Sequence, residues 1–130
     1  MSSEPTVAVK WKSTPDEHDY PAAADYLEML AEPSVVKTVV EELRAVELSH
    51  KKAKDLLRAA QLELLPMYNL HVRKDMEKIV AGKALSPILM VRGDFRKGVP
   101  AQIVDGYHRT CAIYYADENI AIPVKIASMP

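Results

Sequence analysis

Gln102-Ile103-Val104-Asp105-Gly106-Tyr107-His108-Arg109-Thr110 reads as a buried strand that stops at a sharp turn and becomes a helix. Ile103 and Val104 are β-branched, and Asp105-Gly106 is a turn-forming pair. From His108 to Asp117 there is no Gly or Pro, and Cys111, Ala112, Tyr115 and Ala116 recur at the spacing of one helix face. Gly106, Tyr107 and His108 therefore fall at a helix N-terminus. Free backbone N–H groups and the positive end of the helix dipole meet there, and both attract an anion. Gly106 lets the backbone turn and come close to a ligand. His108 and Arg109 add donors, and Arg109 adds a permanent charge suited to phosphate. The turn thus either holds a phosphate or nucleotide, or only reverses the chain with Arg109 as a solvated helix residue.

Working outward, Ile88-Leu89-Met90-Val91 reads as a buried strand. Gly93-Asp94-Phe95-Arg96-Lys97-Gly98 is a hairpin loop that carries the chain back into Ala101–Asp105. Glu118-Asn119 ends the helix, and Ile120–Ala127 forms a closing strand. These blocks, in this order, resemble the ParB/sulfiredoxin-like superfamily over about Leu64 to Ala127. Pro87–Val91 is similar to its P-I-x-V strand. Gln102–Arg109 is similar to its strand–Asp-Gly-x-His-Arg turn, and Ile122-Pro123-Val124-Lys125-Ile126 to its final strand.

The resemblance implies a small mixed, largely antiparallel sheet in an α/β (α+β) domain. It also implies a nucleotide- or phosphate-binding protein whose turn cradles phosphates. The phosphate ligands would be Gly106, Tyr107, His108 and Arg109. Arg73 joins them where partition proteins carry an Asn/Gln-Pro-Arg segment, although here the match is His71-Val72-Arg73 without the Pro. Asp105 and His108 would be the catalytic pair if the site is an enzyme. Family chemistry ranges over nucleotide hydrolysis, phosphoryl transfer, nuclease action and sulfinic-acid repair, so the scaffold does not fix the reaction. Sulfiredoxins place a catalytic Cys between the Gly and the His of this turn. Tyr107 stands there instead, which speaks against that repair chemistry. The helix-turn-helix that follows in partition proteins has no counterpart in these residues. The implied cofactor is a nucleotide, ATP or CTP, with Mg²⁺, and the implied alternatives are a Mg²⁺-dependent phosphotransferase, hydrolase or nuclease, or a non-catalytic protein- or DNA-interaction module.

Asp105 could equally lock the turn through backbone hydrogen bonds, and Tyr107 could stack on a base. No Walker-type G-x-x-x-x-G-K-[ST] occurs, which excludes a P-loop on motif grounds. No Ser/His/Asp or Cys/His spacing is recognisable. The one cysteine, Cys111, has the spacing of a buried thiol and fits a reducing cytosol.

With 130 residues, 48% of them apolar, the chain is expected to form one globular domain. Residues 1–63 form an N-terminal strand and helical extension, and residues 64–130 the core. A net charge of −1 gives no general attraction to nucleic acid or to an anionic membrane, so DNA is not favoured as a partner. No stretch approaches the roughly 20 apolar residues of a membrane span. Met1–Pro5 lacks the basic start of a signal peptide, and a cytoplasmic location is expected.

In the N-terminal half, Val7, Val9 and Trp11 alternate with Ala8, Lys10 and Lys12, the pattern of an edge strand. Thr14, Pro15 and Glu17 form a helix start cut short by Pro21. His18 lies between Glu17 and Asp19, without the partner pattern of a metal motif, so no metal site is assigned. Helices are expected over Pro21–Ala31, Ser34–Leu48 and, capped by Ser49, on to Leu64. The last carries Lys51, Lys52, Lys54 and Arg58, either a solvated face or a nucleic-acid contact. The long amphipathic pair serves equally as a homodimer interface or as cover for its own sheet. Met67–Val72 alternates apolar and polar residues and reads either as a connector or as a short strand, and Lys74–Ala81 as a short helix ended by Gly82.

Overall fold

The computed structural model describes residues 8–130. Its centre is a strand apolar on both faces. Strand β2 (Ile88–Val91) is buried at every position, and only a strand covered on both sides tolerates such a run. β3 (Gln102–Asp105) pairs antiparallel with one edge of it, and β4 (Ala121–Ala127) lies parallel along the other. β1 (Ser49–Lys52) pairs antiparallel with β4, giving the sheet order β1-β4-β2-β3. The fold is therefore mixed α/β with a mostly antiparallel sheet, as the residue pattern led one to expect.

Helices cover both faces. α1 (Asp19–Leu27) and α2 (Pro33–Ala45) bury Ala23, Leu27, Val36, Val39 and Leu43 against Leu89, Val91, Val104 and Ala127. α3 (Ala53–Ala60), α4 (Leu70–Val80) and α5 (Tyr107–Ala116) close the other face over Ile88, Met90, Ile103, Ile122 and Val124. Alternate residues of β2 thus serve two cores. Within the described part of the N-terminal half, α1 and α2 cover one face, while β1 and α3 belong to the sheet and to the opposite face.

The segment expected as one helix over Ser49–Leu64 is instead β1 followed by α3. All four β1 residues are exposed, and their register with Val124 to Ala121 of β4 supplies the backbone partners that make them a strand. Ser49 therefore caps nothing. α3 starts at Ala53 because Ala53 and Lys54 donate their N–H groups to the carbonyls of Ile120 (3.1 Å) and Glu118 (3.1 Å). A cap delivered by a segment some 65 residues downstream leaves no local signature. α3 ends at Ala60 with Gln61 left-handed, ahead of Pro66.

Other boundaries also move. Within the expected edge strand, Val7 lies outside the described residues. Trp11 makes a single bridge to Leu85, fixed by Lys12 N–H to the Leu85 carbonyl and Leu85 N–H to the Lys10 carbonyl, both at 2.8 Å. α1 begins at Asp19, later than the Thr14 start, and it takes Pro21 into its first turn, where a missing N–H costs nothing. It stops at Leu27, leaving Leu30 exposed. The connector before Lys74 is helical from Leu70 onward. Asn69 caps α4, accepting from the N–H groups of His71 (3.0 Å) and Val72 (3.2 Å). No described helix is long and apolar enough to cross a membrane.

Leu89 is fully buried between the sheet and the first two helices. Leu89→Ala should cost about 2–5 kcal/mol in urea denaturation. It should do so in one cooperative transition followed equally by far-UV and near-UV dichroism. A separate early transition would show α1 and α2 to be an independently melting layer.

A polar cleft at the N-terminus of α5

Gly106 turns the chain from β3 into α5 at φ 108°, in the left-handed region where a Cβ is penalised. A Cβ there would also overlap Ile88 Cδ1 and crowd the Arg109 guanidinium. No side chain among the described residues caps α5. Thr110 N–H is the first to find a helical partner, the Gly106 carbonyl at 2.9 Å, so the amides of the preceding turn are left for an outside acceptor. The pairing of β2 with β3 slips by one residue between Leu89 and Met90, and this bulge sets the aim of Asp105.

Arg109 is turned inward rather than out to solvent. Its side chain is 17% exposed, and Nη2 donates to Asp105 Oδ2 (2.8 Å) and to the Pro87 carbonyl (3.3 Å). Asp19 of α1, almost fully buried, lies 3.9 Å away. Asp19 in turn accepts from the Ser86 hydroxyl, and Ser86 Oγ accepts from the Asp16 N–H at 3.0 Å. One guanidinium thereby ties α1, the segment before β2, the end of β3 and the start of α5. Arg109 Nε is buried and has no hydrogen-bond partner among the described residues.

Beside this knot, a polar cleft of about 250 Å³ opens between α4 and α5. Asp105, Gly106, His108 and Arg109 line one wall, and His71, Lys74, Asp75 and Lys78 of α4 the other. The four α4 residues recur at the i, i+3, i+4, i+7 spacing of one helix face. Arg73 is not among them. It lines a separate, largely apolar groove with Met67, Tyr68, Met76, Glu77, Val80 and Ala81, so the lysines that α4 brings to the turn are Lys74 and Lys78. That helical face could be read from the sequence once Leu70–Val80 is taken as one helix; treating Met67–Val72 as a connector hid it.

Tyr107 also leaves the cleft. Its hydroxyl donates to the Glu63 carbonyl (2.7 Å) and its ring packs on the core, fastening α5 to the segment after α3. Tyr115 does the same through the Leu65 carbonyl at 2.7 Å. Cys111 is fully buried, and burial pushes its thiol above the ordinary range.

The electrostatics of the cleft are mixed. Burial pushes the Asp105 carboxyl above its ordinary value of 3.8, with Arg109 pulling the other way. Burial likewise raises Asp75, opposed by Lys78, whose Nζ is 3.8 Å away. Burial, then the nearby His71, holds His108 below 6.5, opposed by Asp75. The His71 and His108 rings lie 5.0 Å apart. Outside the cleft, ligand atoms of Asp16, His18 and Asp19 lie within 4.8 Å of one another, a spacing a metal could bridge. Asp16 already holds Lys12 at 2.7 Å, and the Arg109 guanidinium borders Asp19. Two cations therefore already answer these carboxylates, and no metal is assigned there.

Arg109→Ala should lower the unfolding free energy by about 3 kcal/mol at pH 7, because it strands buried carboxylates. Arg109→Met combined with Asp105→Asn should lose clearly less than the sum of the two single changes in a double-mutant cycle. His108 gives a pH signature. Its folded pKa lies below the unfolded 6.5, so the unfolded chain binds more protons in the window just below 6.5. The stability tied to its neutral form is complete above 6.5 and lost as pH falls through that window. His108→Gln should flatten this part of the denaturation profile.

No protein-family model matches the chain, and no curated protein and no solved structure matches it.

Proposed function

We propose that the chain binds a nucleotide or another phosphate-bearing small molecule in the cleft between α4 and α5. The observation that carries this is the convergence of the uncapped N-terminus of α5 with Lys74, Lys78, His71 and His108 on one cleft of about 250 Å³. Backbone N–H groups and the helix dipole favour the anion, and the two lysines supply point charges for phosphate oxygens. The resemblance of the Asp105–Arg109 turn to that of ParB/sulfiredoxin-like proteins supports the same ligand class. On this proposal Gly106 and His108 contact the phosphate, while Arg109 holds the turn through Asp105.

A second reading, catalysis, draws on the titration of the same walls. Asp75 and Asp105 hold protons more tightly than free carboxyls, and His108 holds one less tightly than free imidazole. Groups whose pKa values are moved towards one another suit proton transfer near neutral pH. Mg²⁺ takes oxygen ligands and would neutralise phosphate charge. Asp75 would hold it rather than Asp105, since Arg109 engages Asp105 at 2.8 Å whereas Lys78 stands 3.8 Å from Asp75.

The test is a thermal-shift series with ATP, ADP, CTP and GTP, with and without Mg²⁺. A ligand at about 100 times its dissociation constant adds about 2.7 kcal/mol of stability. The shift should vanish or shrink in Lys74→Ala and Lys78→Ala and persist in Arg73→Ala. These exposed positions change charge without disturbing the core, unlike Arg109. No shift with any of the four nucleotides, or one that tracks Arg73, would overturn the proposal.

A further inference from the structure

A second, larger cleft of about 500 Å³ lies at the other end of the β2–β3 hairpin, away from Gly106. It is formed by β1, α3 and the loop between β2 and β3. Its floor is apolar, with Leu56, Met90 and Ile126. Three cations line it from three different elements: Lys51 of β1, Arg58 of α3 and Arg92 just after β2. Phe95 lines it too, yet is 96% exposed. Arg96 and Lys97 follow Phe95 on the same turn. The carboxylates nearby are already engaged. Asp55 pairs with Arg58 at 3.5 Å, and Asp94 accepts from the N–H groups of Arg96 (3.0 Å) and Lys97 (3.3 Å). In and beside this cleft five cations thus accompany two carboxylates, one of which, Asp55, already offsets Arg58, on a chain whose net charge is −1.

The aromatic tip is held in place. Asp94 and Val99 exchange two backbone hydrogen bonds of 2.9 Å across the neck of the loop. Gly93 packs so closely on Pro100 and Ala101 that no side chain would fit. An isolated exposed Phe is ordinary. One on a fixed turn, over an apolar floor and ringed by cations, has the makeup of a platform on which a base stacks while its phosphates are neutralised.

We propose that this cleft binds single-stranded nucleic acid, with Phe95 stacking on an unpaired base and Lys51, Arg58 and Arg92 taking the flanking phosphates. The cations come from separate elements around the rim, which suits a backbone passing across the cleft. Stacking needs a base face that a duplex does not offer.

The experiment is fluorescence anisotropy with a labelled 12-nucleotide oligothymidine and the intact chain, over a salt series. Competitors are a duplex of equal length, thymidine monophosphate and an oligoglutamate peptide. Saturable binding is expected, with log K falling against log salt at a slope of about −2 for three phosphates. Phe95→Ala should weaken it about tenfold. Arg92→Ala should reduce the slope by about 0.7. Both side chains are exposed, so the fold is untouched, and circular dichroism checks this. Lys74→Ala, at the other cleft, should leave strand binding unchanged, which separates this site from the one on α5. No binding at low salt, undiminished binding by Phe95→Ala, or equal competition by duplex, mononucleotide or oligoglutamate would overturn the proposal.

Discussion

The partly buried ion pair between Arg109 and Asp105 is the constraint on which the rest of the molecule depends. A guanidinium mostly withdrawn from water needs an opposite charge and hydrogen-bond acceptors close by. Asp105, Asp19 and the Pro87 carbonyl are those groups, and each belongs to a different part of the chain. Satisfying one side chain therefore fixes where α1 meets the hairpin, where β3 ends and how α5 leaves it. Gly106 is the steric counterpart, since any side chain there would overlap Ile88 and press on the same guanidinium. The strand–turn–helix unit is thus a structural joint, and any ligand at its mouth meets a prearranged surface.

The joint also divides labour among charged residues that look alike in the sequence. Arg109 is taken up by the fold, so the cations able to meet a ligand in the α5 cleft come from α4. On α4, Lys74 and Lys78 face the turn while Arg73 faces an apolar groove. At the far end of the sheet, Lys51, Arg58 and Arg92 share a cleft although they lie far apart along the chain. Net charge near zero hides this segregation, because the acidic side chains sit elsewhere or are already paired. Association with a charged partner responds to the local field, which the total does not report.

What the sequence by itself determined is the hairpin, the glycine turn and the helix after it. Ile88–Val91 is a continuous apolar run, Ile103-Val104 is β-branched, and Gly106 sits where a left-handed residue is required. Those signals are local, carried by the residues that obey them. The amphipathic stripe of α2 was equally legible, since Val36, Val39 and Leu43 are buried as their spacing requires. Only the tertiary structure decided the rest. Ser49–Lys52 has no strand signal of its own and is a strand because β4 offers it partners. α3 takes its start from carbonyls of Glu118 and Ile120, far along the chain. Arg109 is an internal tie because Asp19 and Asp105 arrive beside it, and the clefts exist because packing brings α4 against α5 and sets β1 and α3 beside the β2–β3 loop. Periodicity records which face a residue turns inward, but the partner it meets there is fixed by long-range packing, and charge and hydrogen-bonding roles depend on that partner.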